Sequence, residues 1–464
     1  MSGIFIKPTV AEQFRAFLAR GRVLFFSAPC GCGKTALAEE LLKGKAVYRL
    51  FAGEADFAFP QEEGWDILLI EDFQRLQEDA EQKALCEWIR NYPEKRFVLL
   101  SRGTPPGYLM AFQYAGLMQV LDTYALLFDR EETRSFFQEK GVKITDSELT
   151  KIMELTSGFP LGIAITARNM AQGRPLSSEL VAQGFREVFH YFETAVYRQF
   201  DLPVRRFLLE LSLFESFDLE MVRMVSGDPR AGELLDWLQH NTTMMRYDGI
   251  QKFHFWSQFR EFLLWEMGRE YSEEKRRILF NRGGLYYELK EEYPHALDCY
   301  TKGGDYAKVS ELLTRNAEQH PGMGHYYELE KYYRGLPESE ILASPALMQG
   351  MSMLCSLEAD YDASERWYEE LKQFAHRCGK QDAAGKQARS RLAWLDISLP
   401  QRAVEKLTDT IPAVFQLMRN KEITLPPFSV TSTLPSIMNG GKDFSAWSKR
   451  DDFLYQTIRI PVEA

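Results

Sequence analysis

The sequence has no long apolar run and few cysteines. None of its apolar segments reaches the ~18–20 residues that a membrane-spanning helix requires, and the N-terminal stretch MSGIFIKPTVAEQFRAF lacks the apolar core of a signal peptide. Its six cysteines form no spaced framework of the kind found in small secreted disulfide proteins. These absences predict a cytoplasmic protein without a membrane partner.

Basic residues are also in deficit. The chain carries 56 Lys and Arg residues against 66 Asp and Glu residues, which gives a net charge of −10. A surface that neutralises many phosphates needs a basic excess, so we do not expect the chain as a whole to bind nucleic acid directly. With 464 residues, of which 45% are hydrophobic and 26% charged, it is long enough for about three folded domains.

The first part of the chain, residues 1–125, predicts an α/β domain. Short apolar runs bounded by turn or charged residues alternate there with amphipathic helical stretches. Such runs are typical of a parallel sheet whose faces are covered by helices. The runs are VLFFSA, AVYRLF, DILLIED and RFVLLSR.

Helical periodicity replaces the strand signal after this domain. We expect a helical domain over residues 126–190 and a winged-helix domain over residues 191–272. In the latter, three compact helical patterns precede two short apolar stretches that flank Asp248-Gly249, a two-residue signal for a β-hairpin. A plain helical bundle with an irregular loop fits the same pattern and stays open as an alternative.

Residues 273–420 have the pattern of helical repeats. The pair Ala296 and Tyr300 recurs 67 residues later as Ala363 and Trp367, close to two tetratricopeptide units of about 34 residues. An ordinary helical bundle is the alternative. Residues 421–464 show little repeat signal, and we expect them to be a truncated continuation. The predicted fold class is multidomain α/β plus all-α: a parallel sheet, a helical domain, a winged helix and tetratricopeptide-like repeats.

The strongest motif is APCGCGKT, which lies between a predicted strand and a predicted helix. It matches the phosphate-loop pattern G-x4-G-K-[ST] except for Ala28 in the first position. Its glycines allow backbone N–H groups to turn towards phosphate oxygens, and the helix N-terminus favours the same anion. Lys34 would bridge the β- and γ-phosphates of ATP, and the Thr35 hydroxyl would bind Mg²⁺. Unless it is an ordinary glycine-rich turn, the motif predicts a P-loop NTPase domain with the candidate nucleotide-binding residues Ala28, Gly31, Cys32, Gly33, Lys34, Thr35 and Ala36.

Two further strand ends carry charged side chains. ILLIEDF ends in Glu71 and Asp72, paired carboxylates that would hold Mg²⁺ and position an attacking water, unless they are a solvated strand end. Glu71 stands where Asp is usual, and its extra methylene moves the carboxylate by about 1.5 Å, which the strict geometry of Mg²⁺ resists. We therefore expect nucleotide binding with slow hydrolysis. FVLLSRGTPP carries Arg102, which would either face the γ-phosphate as a sensor or cap the strand at the surface.

In their order these motifs resemble the signal-transduction ATPases with numerous domains (STAND), and among them the large LuxR-type regulators typified by the maltose-regulon activator. The resemblance covers residues 5–420 and implies that Pro160 contacts adenine. The segment FHFWSQFREFLL is similar to the family pattern Phe-His-Pro-Leu-x-Arg-x-Phe-Leu, with Phe255 and Trp256 in place of Pro-Leu. It implies that His254 contacts the β-phosphate of ADP; a packed core histidine is the alternative. The matching segments are SAPCGCGKTALAEELL, LLFDREETRSFF, TSGFPLGIAITARNM and FHFWSQFREFLL.

The resemblance also implies a mechanism. ADP would hold the chain closed through His254, whereas ATP together with a small-molecule or protein inducer on the helical repeats would favour an open, self-associating form. Family members read DNA through a C-terminal helix-turn-helix, and nothing after Arg402 resembles one, so we expect DNA contact only through a module absent from this chain. Two alternatives stay open: an AAA-like ATP-driven machine, and a helical-repeat interaction scaffold with a structural nucleotide site.

Overall fold

The structure is a computed structural model in which the chain forms two compact units, Met1–Ser272 and Glu273–Ala464. No helix in the part that it describes is long and apolar enough to cross a membrane. The predicted continuation over residues 421–464, the last 21 residues of the predicted repeat region (400–420) and the chain after Arg402 lie outside the described residues. The described residues are 4–54, 57–60, 64–319, 326, 328–379 and 381–399.

A parallel sheet forms the centre of the first unit. Its five strands are β1 (Val23–Ser27), β2 (Val47–Phe51), β3 (Ile67–Glu71), β4 (Arg96–Ser101) and β5 (Met118–Asp122). They lie in the order β2-β3-β4-β1-β5, so β4 separates the strand before the glycine-rich loop from the acidic strand. The predicted sheet is confirmed. Only β5 was not singled out by its sequence, because it is partly exposed and its apolar run is broken.

Four helices accompany this sheet: α1 (Pro8–Arg20), α2 (Lys34–Leu41), α3 (Asp79–Asn91) and α4 (Met110–Tyr114). Helix α3 shows how its sequence specifies the packing. Leu85 and Ile89 lie one turn apart and are fully buried, in one core cluster with Leu68 and Phe97 of the sheet. The strands β1, β3 and β4 contribute continuous apolar runs because they are buried on both faces.

A helical segment follows the sheet. Two of its helices begin with reciprocal capping bonds: Asp129 caps α6 together with Glu132, and Thr145 caps α7 together with Glu148. These caps fix where each helix starts and so set the positions of the loops between them. The helices are α5 (Thr123–Leu126), α6 (Arg130–Glu139), α7 (Asp146–Thr156), α8 (Pro160–Ala171) and α9 (Ser178–Ala195).

Helices and one antiparallel hairpin complete the first unit, as expected of a winged helix. The hairpin loop has five residues, Asp248–Lys252, rather than the two that Asp248-Gly249 predicted. The reason is that Asp248 Oδ1 accepts the N–H groups of both Ile250 (2.8 Å) and Lys252 (3.0 Å), which closes a wider turn. The elements are α10 (Leu202–Ser212), α11 (Leu219–Ser226), α12 (Ala231–Asn241), β6 (Met245–Tyr247), β7 (Phe253–Phe255) and α13 (Ser257–Glu270).

The described part of the second unit consists of helices that pack against their neighbours in sequence, as in a repeat protein. Tyr300 packs so closely on Gly284 that a Cβ added there would come within 2.7 Å of its ring. The helices are α14 (Glu273–Leu289), α15 (Tyr293–Gly303), α16 (Tyr306–Gln319), α17 (Glu330–Gly335), α18 (Glu338–Leu342), α19 (Pro345–Leu357), α20 (Tyr361–Arg377) and α21 (Ala383–Ser398).

The repeat register differs by one residue from the predicted one. Ala363 is only half-buried, whereas the next residue, Ser364, is fully buried and donates to the carbonyl oxygen of Ser352 at 2.7 Å. Ser364 is thus the counterpart of the fully buried Ala296, 68 residues earlier, which is two units of 34. The sequence pattern misplaced the pair because a small polar residue replaces alanine at the contact.

Candidate functional site

The loop between β1 and α2 has the backbone shape of an anion cradle. Gly31 and Gly33 have positive φ angles of 91° and 77°, a conformation that residues with side chains rarely adopt. Gly33 is the N-cap of α2, so the first N–H groups of that helix are directed at the loop. A Cβ added to Gly33 would meet no atom within 4 Å, which shows that the cradle opens on that side.

The side chain of Lys34 is bonded to the backbone at the start of its own loop. Its Nζ donates to the carbonyl oxygens of Ala28 at 2.6 Å and Pro29 at 3.0 Å. Burial lowers the pKa of Lys34, because the ammonium form loses its water while these two partners are uncharged. An anionic phosphate oxygen would be a stronger partner for this ammonium group than either carbonyl.

A cavity of about 920 Å³ opens at the loop. Its lining combines the cradle with apolar side chains that suit a flat base, and it includes the charged residues Lys7, Glu139, Lys140 and Arg168. Every candidate loop residue from Gly31 to Ala36 lines it, and so does Pro160, whereas Ala28 does not. A nucleoside polyphosphate therefore fits the chemistry of both groups of lining residues. The apolar lining residues include Ile4, Phe5, Phe128, Phe136, Pro160, Leu161 and Ala164.

Pro160 reaches the cavity through a tight turn between α7 and α8. Ser157 and Gly158 have positive φ angles of 48° and 78°, which reverse the chain before the proline starts α8. Gly158 approaches Phe128 so closely that an added Cβ would lie 2.3 Å from the Phe128 carbonyl oxygen. Phe159 then packs on the loop, 3.0 Å from the Cβ position of Gly31.

The acidic strand end contacts the start of α2. Thr35 Oγ1 donates to Glu71 Oε2 at 3.1 Å, so the two groups predicted to bind Mg²⁺ are adjacent. Among the described residues no group of three or more His, Cys, Asp or Glu side chains could hold a metal ion by itself. A Mg²⁺ ion at Thr35 and Glu71 would therefore also need oxygen ligands from a nucleotide or from water.

Arg102 and Asp72 form a pair behind the loop. Asp72 has a φ of 47°, and its Oδ1 lies 3.3 Å from Arg102 Nη2. Arg102 Nη1 also donates to the carbonyl oxygen of Ala195 at 2.8 Å, and its own carbonyl oxygen accepts the Thr243 hydroxyl at 2.9 Å. Neither Asp72 nor Arg102 is among the described residues that line the cavity. The predicted γ-phosphate sensor thus links the sheet to the end of α9 and to the winged helix.

His254, which the resemblance implied as a contact of the β-phosphate of ADP, is not among the described residues that line the cavity. Side chains alternate along β7: Phe255 points inward and is buried, whereas His254 points to the opposite face. There its Nδ1 lies 3.2 Å from the Glu215 carbonyl oxygen and its Nε2 lies 3.8 Å from Asp248 Oδ2.

The family pattern itself explains this difference. When its Arg-x-Phe-Leu end is set on Arg260, Phe262 and Leu263, the histidine position falls on Trp256 instead of His254. Trp256 lines a small cavity of about 10 Å³ together with Pro29 of the loop. An indole thus stands where the pattern has histidine, close to the back of the loop.

Three partners of the site were missed by sequence reasoning. Phe159 covers Gly31, Tyr191 OH lies 3.0 Å from Cys30 Sγ, and Arg49 contacts Glu71 at 3.1 Å. Only Phe159 carried a local signal, since it belongs to the same segment as Pro160. The loop cysteines are buried, and burial raises the pKa of Cys32 to about 12, which makes its thiol unreactive.

Comparisons with known proteins agree with the winged helix. Residues 193–275 match the family described as the MalT winged helix domain. Over 322 residues the chain is 23% identical to the HTH-type transcriptional regulator MalT of Vibrio campbellii, an alignment that covers 68% of this chain and 35% of that protein. Over 355 residues it is 22% identical to MalT of Yersinia pestis, with 73% of this chain and 38% of that protein covered.

The chain spans little more than a third of the length of these relatives. Among solved structures it aligns with a STAND protein with a tetratricopeptide repeat sensor from Pyrococcus horikoshii, at 16% identity and a TM-score of 0.34, over 89% of this chain and 65% of that one. The chain contains a winged helix of the MalT type and is MalT-like in sequence over 68% of its length.

Proposed function

We propose that the chain is a nucleotide-dependent regulatory switch that binds ATP and ADP. The observation that carries this proposal is the cavity, whose lining joins the loop after β1 to apolar residues at the start of α8. A nucleotide would contact both parts at once, so its binding would favour one arrangement of these parts over others. The similarity to MalT supports a role in the control of transcription.

Each candidate residue has a defined task in this proposal. Lys34 and the loop N–H groups would hold the phosphates, Pro160 would contact the base, and Thr35 with Glu71 would hold Mg²⁺. When bound, Mg²⁺ would neutralise phosphate charge and orient the phosphate groups. Lys34 would exchange two neutral carbonyl partners for charged oxygens, which strengthens its bonds.

The switch would work through the residues behind the loop. Asp72 and Arg102 lie close enough to Lys34 to influence its pKa, and Arg102 also contacts Ala195 of α9. A third phosphate near Lys34 would change the charge balance of this pair and thereby its bonds to α9 and the winged helix. ADP would favour the closed form, and ATP with an inducer on the helical repeats an open, self-associating form. Slow hydrolysis would reset it.

The nucleotide and the inducer together must supply the free energy that moves the chain from one form to the other. Moving an equilibrium from 1:99 to 99:1 requires a roughly 10⁴-fold difference in affinity between the two forms, or about 5.5 kcal/mol. Charge-assisted bonds to the third phosphate are each worth about 1.5–3 kcal/mol, but only the part that differs between the two forms shifts the equilibrium. In this proposal the inducer supplies the remainder.

A thermal-shift comparison tests nucleotide binding. ATP or ADP at about 100 times its dissociation constant stabilises the folded chain by about 2.7 kcal/mol, which raises the melting temperature. We expect Lys34→Ala to remove this shift. Lys45→Ala is the matched control, because Lys45 is an exposed lysine just after the same helix. Equal shifts in wild type and Lys34→Ala would show that the loop does not bind phosphate.

A structural nucleotide site in an interaction scaffold is the second candidate. It is favoured by the fact that both acids at the end of β3 already pair with arginines: Glu71 with Arg49, and Asp72 with Arg102. Size-exclusion chromatography with ATP and with ADP distinguishes the two functions. A switch changes its elution between the nucleotides when inducer is present, whereas a scaffold elutes identically with both. Fast ATP turnover without inducer would support an ATP-driven machine instead.

A further inference from the structure

The carboxylate that would bind Mg²⁺ is held by an arginine of the neighbouring strand. Arg49 Nε lies 3.1 Å from Glu71 Oε1. Strands β2 and β3 pair in parallel with Phe51 opposite Glu71, so Arg49, two residues earlier, presents its side chain on the same face of the sheet. The other carboxylate oxygen accepts the Thr35 hydroxyl at 3.1 Å. Both oxygens of Glu71 therefore have partners within the chain.

Arg49 also has a second carboxylate within reach. Its Nη2 lies 2.7 Å from Glu39 Oε1, on the α2 helix that begins at the loop. The Glu39 side chain is 51% exposed, whereas that of Glu71 is 12% exposed. Arg49 thus bridges two carboxylates. One is the shielded Glu71, which would bind the metal, and the other is the exposed Glu39, which would not.

We propose that Arg49 is a built-in cation that competes with Mg²⁺ for Glu71, and that Glu39 is its alternative partner. This inference rests on the proposed nucleotide site. A guanidinium group stays charged at all relevant pH values, so it opposes a divalent cation at the same oxygen by occupying it and by Coulomb repulsion. When Mg²⁺ binds Glu71, the Arg49 side chain leaves Glu71 and keeps its ion pair with Glu39.

The competition has a consequence for the nucleotide cycle. While Arg49 holds Glu71, nucleotide binding depends on Lys34 and the loop N–H groups, and it needs little Mg²⁺. Steps that require Mg²⁺ begin only at concentrations that displace the guanidinium group. Glu71 suits this role, because its longer side chain reaches Thr35 and Arg49 simultaneously. Arg49 is therefore a positioning residue that sets the Mg²⁺ requirement.

A Mg²⁺ titration of the full chain tests the proposal. The melting temperature is measured with a fixed, saturating concentration of ATP, from EDTA to high Mg²⁺, for wild type, Arg49→Gln and Glu39→Gln. Removing the competing charge lowers the Mg²⁺ concentration at half-effect by about tenfold in Arg49→Gln. Glu39→Gln raises it, because Arg49 then has only Glu71 as a partner. The two substitutions thus act in opposite directions.

Two further variants separate the charge from its position. Lys43→Gln removes an exposed positive charge, paired with Glu40, just beyond the end of α2, and it leaves the Mg²⁺ midpoint unchanged. Arg49→Lys keeps the charge and has a midpoint nearer to wild type than Arg49→Gln. The melting temperature in EDTA without nucleotide shows that each variant folds. If Arg49→Gln does not fold, the rise in Glu39→Gln carries the test.

The outcomes separate this proposal from the nucleotide site itself. Equal Mg²⁺ midpoints in wild type and Arg49→Gln overturn the competition. A lower midpoint in Arg49→Gln with no change in Glu39→Gln keeps the competition and refutes the role of Glu39. If wild type shows no ATP-dependent shift either in EDTA or in Mg²⁺, the proposed nucleotide-binding function fails.

Discussion

The glycine-rich loop and the hairpin-to-helix junction of the winged helix both carry motifs that the sequence assigned to nucleotide contact, but only the loop lies in the cavity. Residues 31–36 line it consecutively, because glycine conformations and the start of a helix set the shape of the loop locally. At the junction, the direction of His254 depends on strand alternation and on packing against distant residues. A local motif thus fixes its own geometry, whereas a contact between segments depends on register.

Among the substitutions considered, we expect the largest loss of stability in the turn before Pro160. In Gly158→Ala the new Cβ would lie 2.3 Å from the Phe128 carbonyl oxygen, at a φ of 78°. Left-handed strain and the backbone clash together are expected to reduce the free energy of unfolding by about 3–4 kcal/mol. Urea unfolding measures this change. The ATP-dependent thermal shift is expected to fall too, because Pro160 and Phe128 line the cavity.

Gly173→Ala is the matched control for this substitution. Gly173 has nearly the same φ, 80°, but a Cβ there would meet no atom within 4 Å. It therefore carries only the conformational cost of about 1–2 kcal/mol. Equal losses in the two variants would show that the approach of Phe128 to Gly158 does not constrain the turn.

The sequence was informative where geometry is local and weaker where it is not. Four of the five parallel strands, the loop and the hairpin followed from apolar runs and glycine or aspartate signals. The segment of Phe159 carried a local signal, but its contact with Gly31 joins residues far apart in the chain, so the sequence did not specify that pairing. The pairing of Arg49 with Glu71 needs the strand order and register, which the sequence does not state. The repeat register was one residue out because Ser364 takes the position of an alanine.

Paired substitutions at the junction sharpen the comparison. Trp256 donates from Nε1 to the Thr243 carbonyl oxygen at 2.6 Å, and its ring packs edge-on to Tyr124 at 5.4 Å. Because Trp256 is half-buried, we expect Trp256→Ala to reduce the free energy of unfolding by about 2–3 kcal/mol, less than for a fully buried tryptophan. His254→Ala should cost no more than about 0.5 kcal/mol, since its partners are partly exposed. Urea unfolding of both variants measures these losses.

Nucleotide affinity provides the second measurement on this pair. His254→Ala is expected to keep the wild-type thermal shifts with both ATP and ADP, because His254 lies away from the described cavity lining. A selective loss of the ADP shift in this variant would contradict the assignment and restore the phosphate contact that the family pattern implied. Trp256→Ala is expected to weaken both shifts together, since Trp256 lines the same small cavity as Pro29 of the loop.

A smaller loss than that of Trp256→Ala is expected at the end of β4, where the sheet meets the winged helix. Gly103 approaches α12 so closely that an added Cβ would lie 2.6 Å from the His240 carbonyl oxygen, which also accepts the Thr104 N–H at 3.3 Å. Gly103→Ala should therefore cost about 1–2 kcal/mol in urea unfolding. Gly107→Ala, on the same connection but in open space, should change nothing. Gly103 directly follows Arg102, which pairs with Asp72. The added methyl group should therefore disturb this pair and reduce the difference between the thermal shift with ATP and that with ADP. Equal free energies of unfolding and equal thermal shifts in Gly103→Ala and Gly107→Ala would contradict this prediction. They would show that the contact of Gly103 with His240 does not couple the nucleotide site to the winged helix.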